Sequence, residues 1–192
     1  MRARGGCLAA TPRLAAAAIL VLLAPVPAAA DDCSPLERIV DLAAGMFEDL
    51  PLGSYDEDLE EYDAEIMLDG ASSCAVDKSD QEYDVSYSCQ WWYSNGTDAQ
   101  RESAYRGLRD YVVGCLRDGA ISNLDARFVG APQEDTDDRG ASTQVRARNT
   151  SFPNIERPAF APRIIFTVSG HRTRKNSQVV SLKITQETPI DE

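Results

Sequence analysis

Histidine is almost missing from this chain: His171 is the only one in 192 residues. A general base must be held against a partner in a pocket. His171 stands between Gly170 and Arg172, with Arg174 and Lys175 close by, and reads as a solvated loop residue whose protonation these cations disfavour. No Gly-x-Ser-x-Gly elbow supplies a nucleophile. No glycine-rich loop is spaced to cradle a phosphate. The five cysteines never form paired CxxC units, which with one histidine argues against a zinc site. No catalytic, cofactor-binding or metal-ligating residue is therefore expected, and no cofactor. No hydrophobic run is long enough to span a bilayer either; Leu14 to Ala24, 11 residues, is the most apolar stretch.

That short run has a use of its own. Arg2, Arg4 and Arg13 give a basic start, and Ala28-Ala29-Ala30 before Asp31 is a small-residue cleavage site. Residues 1–30 read as a secretory signal peptide. Asp32 before Cys33 does not suit lipid attachment, so a soluble periplasmic or secreted product is expected, with no membrane insertion in its mature form. Residues 31–186 are the size of one domain, and 187–192 read as a frayed tail. The net charge of −12 argues against nucleic acid and anionic membrane as partners.

Cys7 leaves with the signal peptide, and Cys33, Cys74, Cys89 and Cys115 remain. An even count in an oxidising compartment predicts two disulfides. Tyr83, Val85, Tyr87, Cys89, Trp91 and Tyr93 alternate with Asp84, Ser86, Ser88 and Gln90, the pattern of a half-buried strand. A turn between Gln81 and Glu82 would set Cys74 opposite Cys89, leaving Cys33 for Cys115. A rival turn between Lys78 and Ser79 also matches apolar faces and would pair Cys89 with Cys115 and Cys33 with Cys74. The first connectivity is favoured and the second stays open.

Two helices are announced by their caps. Ser34-Pro35-Leu36-Glu37 reads as a capping box with Pro at the first turn, and Leu36, Ile39, Val40, Ala43, Phe47 and Leu50 form a stripe that ends at Pro51. Thr97 with Gln100 is a second box. Ala104, Tyr105, Leu108, Val112, Cys115 and Leu116 follow at helical spacing, and Gly119 closes the helix. Tyr62 to Leu68 alternates as a strand, with a short return at Cys74-Ala-Val76. After Gly119, Leu124 to Phe128, Val145 to Ala147, Ile164 to Val168 and Val180 to Ile184 read as strands. Pro132 to Gly140 reads as a polar loop, and Pro153, Pro158 and Pro162 mark an extended strap. The expected fold is α+β: an antiparallel sheet of about five to seven strands with two helices on one face, in the order α-β-β-(β)-α-β-β-β-β.

The runs Leu68-Asp-Gly-Ala71, Cys74-Ala-Val76, Tyr87-Ser-Cys89-Gln-Trp91 and Cys115-Leu116 resemble a pattern in small, uncharacterised exported bacterial proteins. The resemblance covers about the first half of the mature chain, at the level of composition. It implies an exported α+β domain and no activity.

Charge is segregated along the chain. Glu48 to Asp84 holds 14 acidic residues against Lys78 alone; Arg139 to Lys175 holds eight Arg or Lys with Glu156 as the only acid. The two segments either neighbour and neutralise each other or dock a charged partner. Trp92, opposite in phase to buried Trp91, is either an exposed interface anchor or covered by a loop. Asp56, Asp58, Glu60, Arg172, Arg174 and Trp92 are the candidate interface. Asp135-x-Asp137 starts like a calcium loop, but Arg139 and Arg146 stand at ligand positions. Asn95 and Asn149 head glycosylation sequons. The expected function is a non-catalytic binding module for an unknown protein or small ligand. The alternative is an inhibitor-like or chaperone-like protein that turns its acidic face to a basic partner. A glycoside hydrolase using paired carboxylates is third.

Overall fold

The computed structural model describes residues 32–78, 85–125, 127, 129–150, 163–175 and 177–187. The expected signal peptide, the turn at 79–84, the proline strap and the tail after Glu187 lie outside the described residues. Helix α1 (Ser34–Ala44) leads into strands β1 (Leu52–Asp56), β2 (Glu61–Ala64), β3 (Ser73–Lys78) and β4 (Val85–Tyr93). Helix α2 (Asp98–Arg117) follows, then β5 (Gln133–Thr136), β6 (Gly140–Arg148), β7 (Arg163–Arg172) and β8 (Gln178–Glu187). All eight strands form one sheet in the order β1-β2-β3-β4-β8-β7-β6-β5, with every neighbouring pair antiparallel.

The expectation of five to seven strands, two or three of them before α2, is thereby corrected. The fold is mostly sheet, and four strands precede α2. The missed strands are the two edges. β1 reads Leu-Gly-Ser-Tyr-Asp, and β5, Gln-Glu-Asp-Thr, is exposed throughout. An edge strand needs only one ladder of backbone hydrogen bonds, and polar edges resist pairing with other chains, so neither shows apolar alternation. The strand expected at Leu124 to Phe128 reduces to one bridge, Leu124 to Asn149, with Ala126 and Phe128 outside the described residues.

The core lies on one face. Across five neighbouring strands the register lines up Val76, Tyr87, Ile184, Phe166 and Val145, all buried. Fully burying a side chain such as Ile184 or Phe166 contributes about 1.5–3 kcal/mol. Both helices cover this face. Phe47, just beyond α1, stacks on Tyr87 with ring centroids 6.2 Å apart, and Tyr105 of α2 shares a 2.5 Å hydrogen bond with Thr143. α2 starts at its capping box: Gln100 N donates to Thr97 Oγ1 and Thr97 N to Gln100 Oε1. The box expected at Ser34 does not form. Cys33 occupies the cap position without a side-chain bond, and Glu37 Oε1 instead accepts from Ser122 N at 3.1 Å. α1 also ends early, at Gly45. Met46 and Phe47 take left-handed backbone angles that swing Phe47 onto the sheet.

Disulfides join Cys33 to Cys115 and Cys74 to Cys89. Cys74 stands directly opposite Cys89 and Val76 opposite Tyr87, so the bond closes one rung of the β3–β4 hairpin.

Candidate binding face

Alternation that sends Tyr87, Cys89 and Trp91 to the helices sends Ser86, Ser88, Gln90 and Trp92 to the opposite face. Registers carry this across the sheet. One row runs Gly140, His171, Val179, Trp92; the next runs Asp135, Ser142, Ser169, Ser181, Gln90. Among the described residues neither helix packs on this face. It is lined by hydroxyls and amides, with Ser169 and Ser181 hydrogen-bonded at 2.8 Å. Val179 and Ser86 are buried within it, while Trp92 is 46 % exposed.

The candidate interface residues do not gather in one place. Trp92 ends one strand of this face, and its backbone amide donates to Ser72 Oγ. Asp56 sits at the far edge of the sheet, where its Oδ1 accepts from Asp58 N and Leu59 N; it closes the β1–β2 turn. Asp58 and Glu60 are exposed in that turn, and Glu60 holds a positive φ of 57°. The register puts Asp56 in the row of Ser86 and Trp92 six residues further along β4, about 20 Å away on that count alone. Arg172 and Arg174 are exposed at the β7–β8 turn, on the same end of the sheet as Trp92. Asp56, Asp58 and Glu60 therefore form one corner, and Trp92, Arg172 and Arg174 another.

Charges of the two halves are kept apart by strand order. β2 and β7 are separated by four strand spacings, about 19 Å, more than twice the screening length of about 8 Å at physiological salt. The basic segment finds local partners instead: Arg139 meets Asp137 at 3.5 Å and Arg146 donates to Gln133 Oε1 at 3.2 Å. The acidic strands keep their crowding. Burial, then the facing Asp77, pushes the Glu61 carboxyl up, with Lys183 opposing.

A cavity of about 300 Å³ opens at the β5–β6 hairpin, lined by Asp135, Asp137, Arg139, Ser142, Ser169 and His171 among others. His171 lies in β7 rather than in the turn after it. Burial, reinforced by Arg139, lowers its pKa, against Asp137. Asp137 Oδ1 accepts from the amides of Arg139 and Gly140, which holds its carboxyl below the usual range. An ionised turn cap of this kind does not suit a general acid. No hydrogen bond joins His171 to Ser142 or Ser169 among the described residues, so the geometry is not that of a nucleophile and its base. No cluster of three metal-ligating side chains occurs among the described residues, and the Asp135-x-Asp137 segment is a hairpin. No described helix is long and apolar enough to cross a membrane. Sequence reasoning missed this cavity because its lining is gathered from distant stretches: Asp135 from β5, Arg139 from the turn after it, Ser142 from β6, and Ser169 and His171 from β7. The outward Ser and Thr positions of β6 to β8 were the available signal.

The sequons differ in access. Asn95 is exposed in the turn before α2, whereas Asn149 is buried and its amide nitrogen donates to Gln186 Oε1 at 3.4 Å.

No protein-family model matches the chain, and no curated protein matches it significantly. One solved structure is similar: the Saccharomyces cerevisiae Ran-binding protein Mog1p, at 12% identity and a TM-score of 0.32, over 74% of this chain and 79% of that one. A likeness of this degree carries no conclusion about partner or activity.

Proposed function

We propose that this chain is an exported, non-catalytic binding module that works in the periplasm or outside the cell after losing residues 1–30, and that it binds through the hydroxyl-lined sheet face. The observation that carries this reading is Trp92. A large aromatic left 46 % exposed on a rigid strand, at the rim of a polar face, is a costly feature for an inert surface and a favoured anchor for an interface. The two disulfides suit an oxidising compartment. The protein matured in its host, immobilised, should capture its ligand or partner from native extract, and Trp92→Ala at equal folded stability should capture much less. Equal capture by both would remove the assignment to this face. Intact mass of the exported protein should lack residues 1–30; a retained leader would overturn the localisation.

A second reading has its own observation. Strand order leaves the acidic strands β1 and β2 unneutralised by the basic ones, which favours an acidic surface turned to a basic protein. Capture through that surface weakens steeply with salt, because exposed charges are screened within about 10 Å at 0.1 M. Capture that is flat in salt and sensitive to Trp92 separates the first reading from the second.

A further inference from the structure

We propose that the cavity at the β5–β6 hairpin, extended across the sheet to Trp92, binds a neutral oligosaccharide. This rests on the reading of the sheet face as a binding surface. Its hydrogen-bonding groups point to the ligand class. Asp135 and Asp137 accept, Arg139 donates, and Ser142, Ser169 and His171 do both. Among the described residues the side chains of Asp135, Ser142 and His171 make no hydrogen bond, so their capacity is directed to what enters the cavity. Asp135, Ser142 and Ser169 are cross-strand neighbours in one row, so the three side chains stand next to one another on the same face.

Charge excludes the other small polar ligands. Two carboxylates outweigh one guanidinium, and burial with Arg139 beside it lowers the pKa of His171, so the lining disfavours phosphate and carboxylate. Arg139 inside the cavity opposes a bare cation. A sugar hydroxyl is neutral and is donor and acceptor at once, which matches a lining that mixes carboxylate, guanidinium, hydroxyl and imidazole. Trp92 supplies what the cavity lacks. It lies in the row of His171, with only Val179 between, about 10 Å away. An indole presents a flat apolar face with a polar edge, and the C–H face of a pyranose stacks on such a surface. The span from cavity to Trp92 exceeds one ring and fits a short oligosaccharide.

The test uses the ¹⁵N-labelled mature chain titrated with cellotetraose, maltotetraose, chitotetraose and xylotetraose, and with glucose, inorganic phosphate and glycine as further probes. At least one tetrasaccharide should give saturable shifts at Ser142, Ser169, His171 and the Trp92 indole N–H. Asp135→Asn should weaken it at least tenfold. Trp92→Ala should weaken the tetrasaccharide at least tenfold and the matching monosaccharide less than threefold; retained spectral dispersion certifies each variant as folded. Saturable binding of phosphate or glycine without any tetrasaccharide would overturn the proposal, as would shifts confined to other surfaces or no saturable shift at all. If the tetrasaccharides fail while capture from extract still depends on Trp92, the saccharide assignment falls and the binding-module reading stands. If both fail, both fall.

Discussion

Cys33 and Cys115 are joined across 82 positions of sequence with their Cα atoms 5.6 Å apart, tying the entry of α1 to the last turn of α2. Cys74 and Cys89 close a loop of only 15 positions. In the chain-entropy account the longer loop restrains the unfolded state more. Replacing Cys33 and Cys115 by Ser should cost about 4–5 kcal/mol, against about 3 kcal/mol for the hairpin pair. Urea denaturation of the two double variants checks the order; a larger loss from the hairpin pair would contradict it.

Gly170 and Tyr105 set how closely α2 approaches β7. A Cβ at position 170 would lie 2.8 Å from Tyr105 Cβ, too near for both to stay in place. Gly170→Ala should destabilise the fold by about 1–3 kcal/mol, the usual cost of overpacking. That contact disappears when Tyr105 is also cut to Gly, which has no Cβ, so the double variant should cost less than the sum by at least about 0.5 kcal/mol. Additive losses would place the strain elsewhere.

Tyr87 donates its hydroxyl to Ile66 O at 2.8 Å from a fully buried position. Tyr87→Phe leaves that carbonyl without its donor and should cost about 1–3 kcal/mol at pH 7. Burial pushes the phenol well above its ordinary value. The unfolded chain therefore loses this proton first as pH rises, and stability is full below about pH 10 and falls above it. Urea midpoints between pH 8 and 11 should fall more steeply for the wild type than for Tyr87→Phe. Parallel curves would show that Tyr87 does not titrate with unfolding.

Glu61 follows the same sign, in the carboxylate range. Burial and the facing Asp77 raise its folded pKa, so its charge opposes folding at neutral pH and the penalty is relieved as pH falls through the carboxylate range. Glu61→Gln should raise Tm at pH 7 and leave it nearly unchanged at pH 3.5. A gain that persists at pH 3.5 would assign the effect to packing rather than charge.

Local periodicity and capping chemistry made part of this molecule legible before folding. The alternation through Tyr83 to Tyr93 determined which face of β4 is buried. Matching apolar faces of β3 and β4 allowed two registers, of which the favoured one, setting Cys74 against Cys89, is the one that forms. Thr97 and Gln100 marked the start of α2, because a capping box satisfies its amides within four residues. The stripe of α1 was equally readable, but its end was not: Gly45 and the left-handed turn behind it answer to the packing of Phe47 on Tyr87.

What the sequence alone determined about this protein is therefore local: two amphipathic helices, the central strands, and a phase for Trp92 opposite to that of buried Trp91. The tertiary structure decided the rest. β1 and β5 became strands because a neighbour offered them a backbone ladder, not because their own residues alternate. β8, last in the chain, took its place between β4 and β7, and so carried Trp92 into the row of His171 and kept the acidic strands away from the basic ones. Strand order is set by which apolar faces can be buried together beneath two helices joined at Cys33 and Cys115. That is a property of the whole core, and no window of sequence contains it.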